Sequence, residues 1–182
     1  MNLSGFILKL FGWKVDITVP DFPKCIICVA PHTSNWDFIL GELAIRSVRR
    51  KAGFLMKSSW FFFPLGYFFR AIGGIPVERN KKKTSLVENL VRRFNTDRRL
   101  VIAITPEGTR GRVAEWHTGF LRIAYEANVP VALGAIDAPS KHITVTEVFE
   151  PTGNLQSDLV AIKTYYRNYV GIRPDKFTTG LN

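Results

Sequence analysis

Short apolar runs alternate along this chain with stretches in which apolar residues recur every three or four positions. The compact runs predict strands at 15–19, 24–30, 53–56, 74–78, 100–105, 130–136 and 142–149. The 3.6-residue pattern predicts helices at 3–11, 36–50, 58–72, 84–96, 117–128 and 155–170. Helix 84–96 carries the clearest signal. Ser85 and Glu88 are spaced as a capping box, and Leu86, Val87, Leu90, Val91 and Phe94 fall on one stripe. The runs Val101–Ile104 and Val131–Leu133 are apolar at every position, as in strands covered on both faces. Such alternation predicts an α/β fold with a largely parallel central sheet covered by helices. The run 142–149 alternates less evenly and is expected at a sheet edge.

Length and composition sharpen this picture. A chain of 182 residues with no repeat or low-complexity linker is expected to be a single domain. Its 46% apolar content supports a sizeable core and argues against disorder. The net charge of +10 is uneven: residues 1–100 hold 17 basic against 7 acidic side chains, and residues 101–182 hold 8 of each. One part of the chain is therefore suited to an anionic partner. Cys25 and Cys28 form a C-x-x-C inside an apolar run, where residues three apart point to opposite faces of a strand. With no second cysteine pair to complete a zinc site, they read as buried thiols in a reducing compartment, and no metal is expected. No window approaches the ~20 consecutive apolar residues that span a bilayer. No basic region precedes the first apolar stretch, so the expectation is a cytoplasmic protein without a cleaved signal, soluble or attached to a membrane face.

Candidate chemistry gathers at strand ends. Ala30-Pro31-His32-Thr33-Ser34-Asn35-Trp36-Asp37 follows the run 24–30. A separation of five is wrong for one helix face, but it works if His32 lies in the loop and Asp37 on the first turn of the next helix. Thr33, Ser34 and Asn35 are each good caps for that helix. Asp37 would then take the proton-bearing ring nitrogen of His32 and leave the other as a base. A capped helix with an incidental histidine fits the spacing equally well. A second group, Thr105-Pro106-Glu107-Gly108-Thr109-Arg110, leaves the strand 100–105. Gly108 permits close backbone approach, Thr109 offers a hydroxyl, Arg110 can grip a phosphate, and Glu107 can accept from a hydroxyl or pair with an arginine. A surface turn with a salt bridge is the plainer reading. In Gly73-Gly74-Ile75-Pro76-Val77-Glu78-Arg79 a second arginine stands at a strand end. The stretch 60–69 packs seven aromatics into ten residues, flanked by Lys57 and Arg70. Some of these rings must be core, yet three consecutive phenylalanines on a helix cannot all be, so an acyl groove or a membrane interface is also expected. Leu3, Phe6, Ile7, Leu10 and Phe11 give residues 1–14 an amphipathic pattern that either lies in an interface plane or docks on the domain.

Taken together, His32–Asp37, Gly73–Arg79, Pro106–Arg110 and the apolar block Val129–Val131 match four motifs in order. On them the chain resembles the glycerolipid acyltransferases typified by 1-acyl-glycerol-3-phosphate (lysophosphatidic acid) acyltransferase, over roughly residues 25–137. H-x4-D alone is unspecific, but followed some seventy residues later by P-E-G-T-R after a strand it is highly specific. The resemblance implies a single acyltransferase domain over 1–182. It implies His32 as general base and Asp37 as its orienting carboxylate. Arg79, Glu107 and Arg110 would bind the acceptor, with Gly108 and Thr109 shaping the loop. The implied donor is acyl-CoA or acyl carrier protein, the acceptor a lysophospholipid or glycerol phosphate, and no further cofactor or metal is required. An anionic membrane surface is the implied partner and the cytoplasmic membrane face the implied location. Two departures stand out: His117 occupies a position where many members carry Lys, and Lys57-Ser58-Ser59-Trp60 replaces a Lys-Glu-Leu-like segment.

Other classes fit less well. Nucleic-acid binders interleave exposed aromatics with basic residues, whereas here the aromatics and the basic runs lie apart. A serine hydrolase would need a nucleophile elbow, and no G-x-S-x-G occurs. A catalytically silent lipid-surface module would not need the full set of charged motif residues. An acyltransferase for a phosphate-free lysolipid or another hydroxyl acceptor stays open, although Arg79 and Arg110 favour an anion.

Overall fold

A computed structural model describes residues 2–78 and 83–181, without the side chains of 83–85. Arg79 and the start of the Lys81-Lys82-Lys83 run lie outside the described residues, as does the side chain of Ser85, one end of the expected capping box. Among the described residues, seven strands, β1 (Lys14–Ile17), β2 (Lys24–Val29), β3 (Gly53–Lys57), β4 (Gly74–Val77), β5 (Leu100–Ile104), β6 (Val131–Asp137) and β7 (His142–Phe149), form one sheet. The helices are α1 (Leu3–Leu10), α2 (Asn35–Ser47), α3 (Leu65–Ala71), α4 (Lys83–Thr96), α5 (Gly119–Ala127) and α6 (Leu155–Tyr166). The strand order is β1-β7-β6-β2-β5-β3-β4, and every neighbouring pair is parallel except β6–β7. This is the expected α/β sheet, with helices on both faces.

The alternation of β2 divides the core. Ile26 and Cys28 face α4, α5 and α6 in a cluster with Phe94, Phe120 and Tyr166. Cys25 and Ile27 face the other way, towards Ile45 of α2. Both cysteines are buried free thiols, and burial pushes Cys25 up to about 11 and Cys28 higher still. The stripe on α4 packs as its spacing predicts, with Leu90 and Phe94 fully enclosed. α1 docks on α2: Leu8 is buried, and the Asn2 side-chain amide donates to the carbonyls of Arg46 and Ser47. Leu3, Phe6, Leu10 and Phe11 remain exposed on its outer side.

Two expectations change. The strand 142–149 lies inside the sheet, because β1 adds alongside it in parallel; the edges are β1 and β4. β4 suits an edge, since its Pro76 has no amide to give a further strand. The helix expected over 58–72 is two pieces, a 3-10 turn at Ser58–Trp60 and α3. Pro64 accounts for the break, since inside a continuous helix it would remove a donor and strike the preceding turn. No described helix is long and apolar enough to cross a membrane.

Candidate functional site

β2 and β5 are parallel neighbours, with Cys28 level with Ile104. The chain therefore leaves both strands side by side at their carboxyl ends, the edge of an α/β sheet where ligands collect. His32 emerges from β2 and Glu107 from β5. The Glu107 carboxylate accepts the His32 backbone amide at 2.8 Å, joining loops 75 residues apart in sequence. Below them, the buried Tyr166 hydroxyl donates to the Cys28 carbonyl at 2.5 Å and steadies the end of β2.

Ser34 is the N-cap of α2, and its hydroxyl accepts from the Trp36 amide while Asp37 completes a capping box. The Asp37 Oδ2 accepts the amides of Thr33 at 2.6 Å and Ser34 at 2.7 Å. The same oxygen lies 3.6 Å from His32 Nδ1, which is ion-pair range but longer than a hydrogen bond. Capping and facing the imidazole are thus two tasks of one carboxylate. Asp37 Oδ1 is buried and has no hydrogen-bond partner among the described residues. The amides at this helix start are largely committed: those of Thr33, Ser34 and Trp36 already have acceptors.

The electrostatics follow from burial. The His32 side chain is 13% exposed and that of Asp37 1%. Burial, reinforced by the positive charge of Arg110, pushes the His32 imidazole down to about 4, so the ring is neutral at pH 7. Burial pushes Asp37 upward, against the Ser34 and Thr33 amides and Arg110. Glu107 is pushed up to about 8, chiefly by burial, with the His32 amide opposing and the Asp37 charge adding. A neutral imidazole with Nδ1 turned to a carboxylate is equipped to accept a proton at its other nitrogen.

Of the residues singled out in the sequence, His32, Asp37, Glu107 and Arg110 converge here. Arg110 is exposed, and its charge is felt at both His32 and Asp37. Glu107, expected to meet an acceptor, is turned inward and buried beneath the His32 loop. Gly108 sits at φ +64° with the His117 ring against it; an added Cβ would lie 2.5 Å from His117 Cδ2. The exposed Thr109 hydroxyl accepts the Gly111 amide at 3.2 Å and shapes the loop turn. Arg79 lies outside the described residues.

The aromatic segment leaves the same edge from β3, which is parallel to β5. Phe61 is its inner anchor, with its ring 6.0 Å from that of Phe69 and the Arg70 guanidinium 5.2 Å above it. Trp60, Phe62, Phe63, Tyr67 and Phe68 are exposed, as is Trp36 beside Asp37. Sequence reading missed Thr33 as a junction: its amide serves Asp37 while its hydroxyl accepts the Arg173 amide at 3.1 Å.

Residues 18–135 match the Acyltransferase family model. Among solved structures, the chain is similar to the 1-acyl-sn-glycerophosphate (LPA) acyltransferase PlsC from Thermotoga maritima, at 17% identity and a TM-score of 0.59, over 89% of this chain and 74% of that one. A comparison with curated proteins finds no match.

Proposed function

The chain belongs to the acyltransferase family, and from that premise we propose that it moves a fatty acyl group from acyl-CoA or acyl carrier protein to a hydroxyl of a lysophospholipid or glycerol-phosphate-type acceptor. The observation that carries this reading is the neutral, nearly enclosed His32 imidazole at the sheet edge, with Asp37 under Nδ1 and the Arg110 charge beside it. His32 Nε2 takes the acceptor's hydroxyl proton as the oxygen attacks the thioester carbonyl. The new C–O bond forms, the C–S bond breaks, and the thiolate leaves with the proton returned from the imidazolium. The 3.6 Å gap to Asp37 closes as positive charge develops on the ring, since catalytic hydrogen bonds tighten in the reacting complex. Arg110, with Arg79 assigned on the family motif alone, receives the acceptor's anionic group. Gly108 and Thr109 set the path of that loop, and Glu107 holds the base's backbone from below. The thioester is already activated, so the chemistry calls for no metal and no further cofactor. That the similar Thermotoga maritima protein is a 1-acyl-sn-glycerophosphate acyltransferase supports this acceptor class.

The exposed aromatic segment, Trp36 and the outer side of α1, together with the net charge of +10, support a peripheral position on an anionic membrane from which a lysolipid is drawn, and we assign it to the cytoplasmic face. The test is to incubate purified protein with acyl-CoA and acyl carrier protein donors against lysolipids, with and without phosphate, and glycerol phosphate, and to read products by mass spectrometry. His32→Ala is expected to lower transfer by about 10²- to 10⁴-fold with the melting temperature held. Full activity in that variant, or a covalent acyl-enzyme in the wild type, overturns the direct-transfer reading.

A further inference from the structure

The C-terminal residues lie beyond the stretch that the family model matches, yet they touch both loops of the site. After α6 the chain returns to the sheet edge, where the Val170 amide donates to Asp137 Oδ1 at 3.0 Å and its carbonyl accepts from Ala138 at 2.9 Å. Next it packs on the residues either side of His32. A Cβ added at Gly171 would lie 2.8 Å from Thr33 Oγ1 and 3.0 Å from Pro31 Cβ, so only glycine fits there without displacing the loop. The Arg173 amide then donates to the buried Thr33 hydroxyl, whose own amide is held by Asp37. Further along, the Thr178 carbonyl accepts the Trp116 indole N–H at 3.2 Å, and a Cβ at Gly180 would lie 2.7 Å from the Ala114 carbonyl oxygen. Trp116 precedes His117, whose amide bonds the Pro106 carbonyl at 2.7 Å, so this second attachment grips the loop that carries Glu107 and Arg110.

We propose that Gly171–Leu181 is a two-point strap that holds the His32 loop and the Arg110 loop in register, which makes Thr33 and Trp116 positioning residues for acyl transfer. The kinetic part rests on the acyl-transfer reading; the mechanical part does not. Loops are the least stable parts of a fold, and proton transfer tolerates little misplacement of its base. The Glu107–His32 bond ties the loops from within the site, and the strap ties them from behind.

Thr33→Val keeps the side-chain shape and removes the acceptor of the Arg173 amide. It is expected to lower kcat by about 10- to 100-fold with KM for the donor little changed, and Thr33→Ser is expected to recover most of the loss. Amide exchange on the whole protein supplies a readout independent of activity. Trp116→Phe, which removes the indole donor, should speed exchange in a peptide covering residues 30–37. Because the Trp116 ring also lies near Tyr166, Gly180→Ala serves as a second release that leaves this stacking in place. Wild-type kcat in Thr33→Val, or wild-type exchange at 30–37 in both Trp116→Phe and Gly180→Ala, overturns the strap. If Thr33→Val does not fold, the two exchange variants decide the question. Absence of acyl transfer in the wild type would sink the functional reading alone, and exchange would still decide the strap.

Discussion

β2 and β3 run parallel in the same sheet with β5 between them, yet they end in opposite ways. The exit from β2 buries polar groups: Thr33, Ser34 and Asp37, with Glu107 beneath. The exit from β3 exposes apolar ones, with Phe63 82% and Tyr67 72% accessible. Each is the less common arrangement, and each carries information for that reason. Buried polar groups require partners, and Asp37 Oδ2 takes two amides and faces the His32 imidazole, while Oδ1 has none among the described residues. An exposed large apolar ring forgoes about 1.5–3 kcal/mol of burial, a loss that an apolar partner such as a bilayer would recover. One edge thus sets an enclosed polar site beside an unenclosed apolar surface, as would suit the proposed transfer to an acceptor drawn from lipid.

The polar exit breaks most sharply at Asp37. Asp37→Ala leaves the Thr33 and Ser34 amides without an acceptor, which should cost about 2–4 kcal/mol of stability and at least about 10²-fold in kcat/KM. Asp37→Asn keeps one oxygen for those amides but removes the charge facing His32 Nδ1. Melting should then stay within about 1 kcal/mol of wild type while kcat/KM still falls about 10²-fold. Paired melting and steady-state assays separate the two tasks. An Asp37→Asn enzyme with wild-type turnover would reduce Asp37 to a helix cap.

The apolar exit breaks differently. Replacing Phe63 and Tyr67 together with Ser removes two exposed rings that lie edge to face with centroids 6.2 Å apart. Retention on anionic vesicles in a flotation assay should fall by about tenfold or more, while melting and turnover of water-soluble substrates stay unchanged. Equal flotation of variant and wild type would remove the membrane role from this surface.

How far the sequence disclosed these two exits follows from the range of the forces involved. Local signals carried the strands, the stripe on α4 and the helix start at Ser34–Asp37, because periodicity and capping act within a few residues. Motif spacing placed His32, Asp37 and Arg110 at one site, but it could not orient Glu107. Its inward turn depends on β2 and β5 being neighbours, a non-local fact. The break at Pro64 was available from proline chemistry, and aromatic periodicity masked it. β7 read as an edge strand because its pattern is uneven, and nothing local announces that β1 will cover it. The ordinary histidine value near ~6.5 expected of a free side chain gave way to about 4, since enclosure beside Arg110 is a property of the assembled edge. The Gly171 and Arg173 contacts to Thr33 join residues about 140 apart and leave no pattern in the chain.

The smallest predicted effect follows from the same contrast, since the polar exit buries the Glu107 carboxyl and the apolar exit holds no acidic side chain. Glu107 has an ordinary value of 4.5 and is pushed up to about 8 in the fold. Between those values the folded protein keeps a proton that the unfolded chain has released. Stability therefore falls as pH rises through this window and stays lower above it. Glu107→Gln keeps an oxygen for the His32 amide and cannot ionise. It should match wild type near pH 4.5 and exceed it at pH 8.5 by on the order of 1 kcal/mol or more. His32 acts in the opposite direction, losing stability as pH falls from its ordinary 6.5 towards about 4. That loss is common to both proteins, so it leaves their difference largely unchanged. Melting curves at the two pH values check the sign. An offset that is the same at both would mean that Glu107 ionises as if in water, and that the polar exit is wetter than its burial implies.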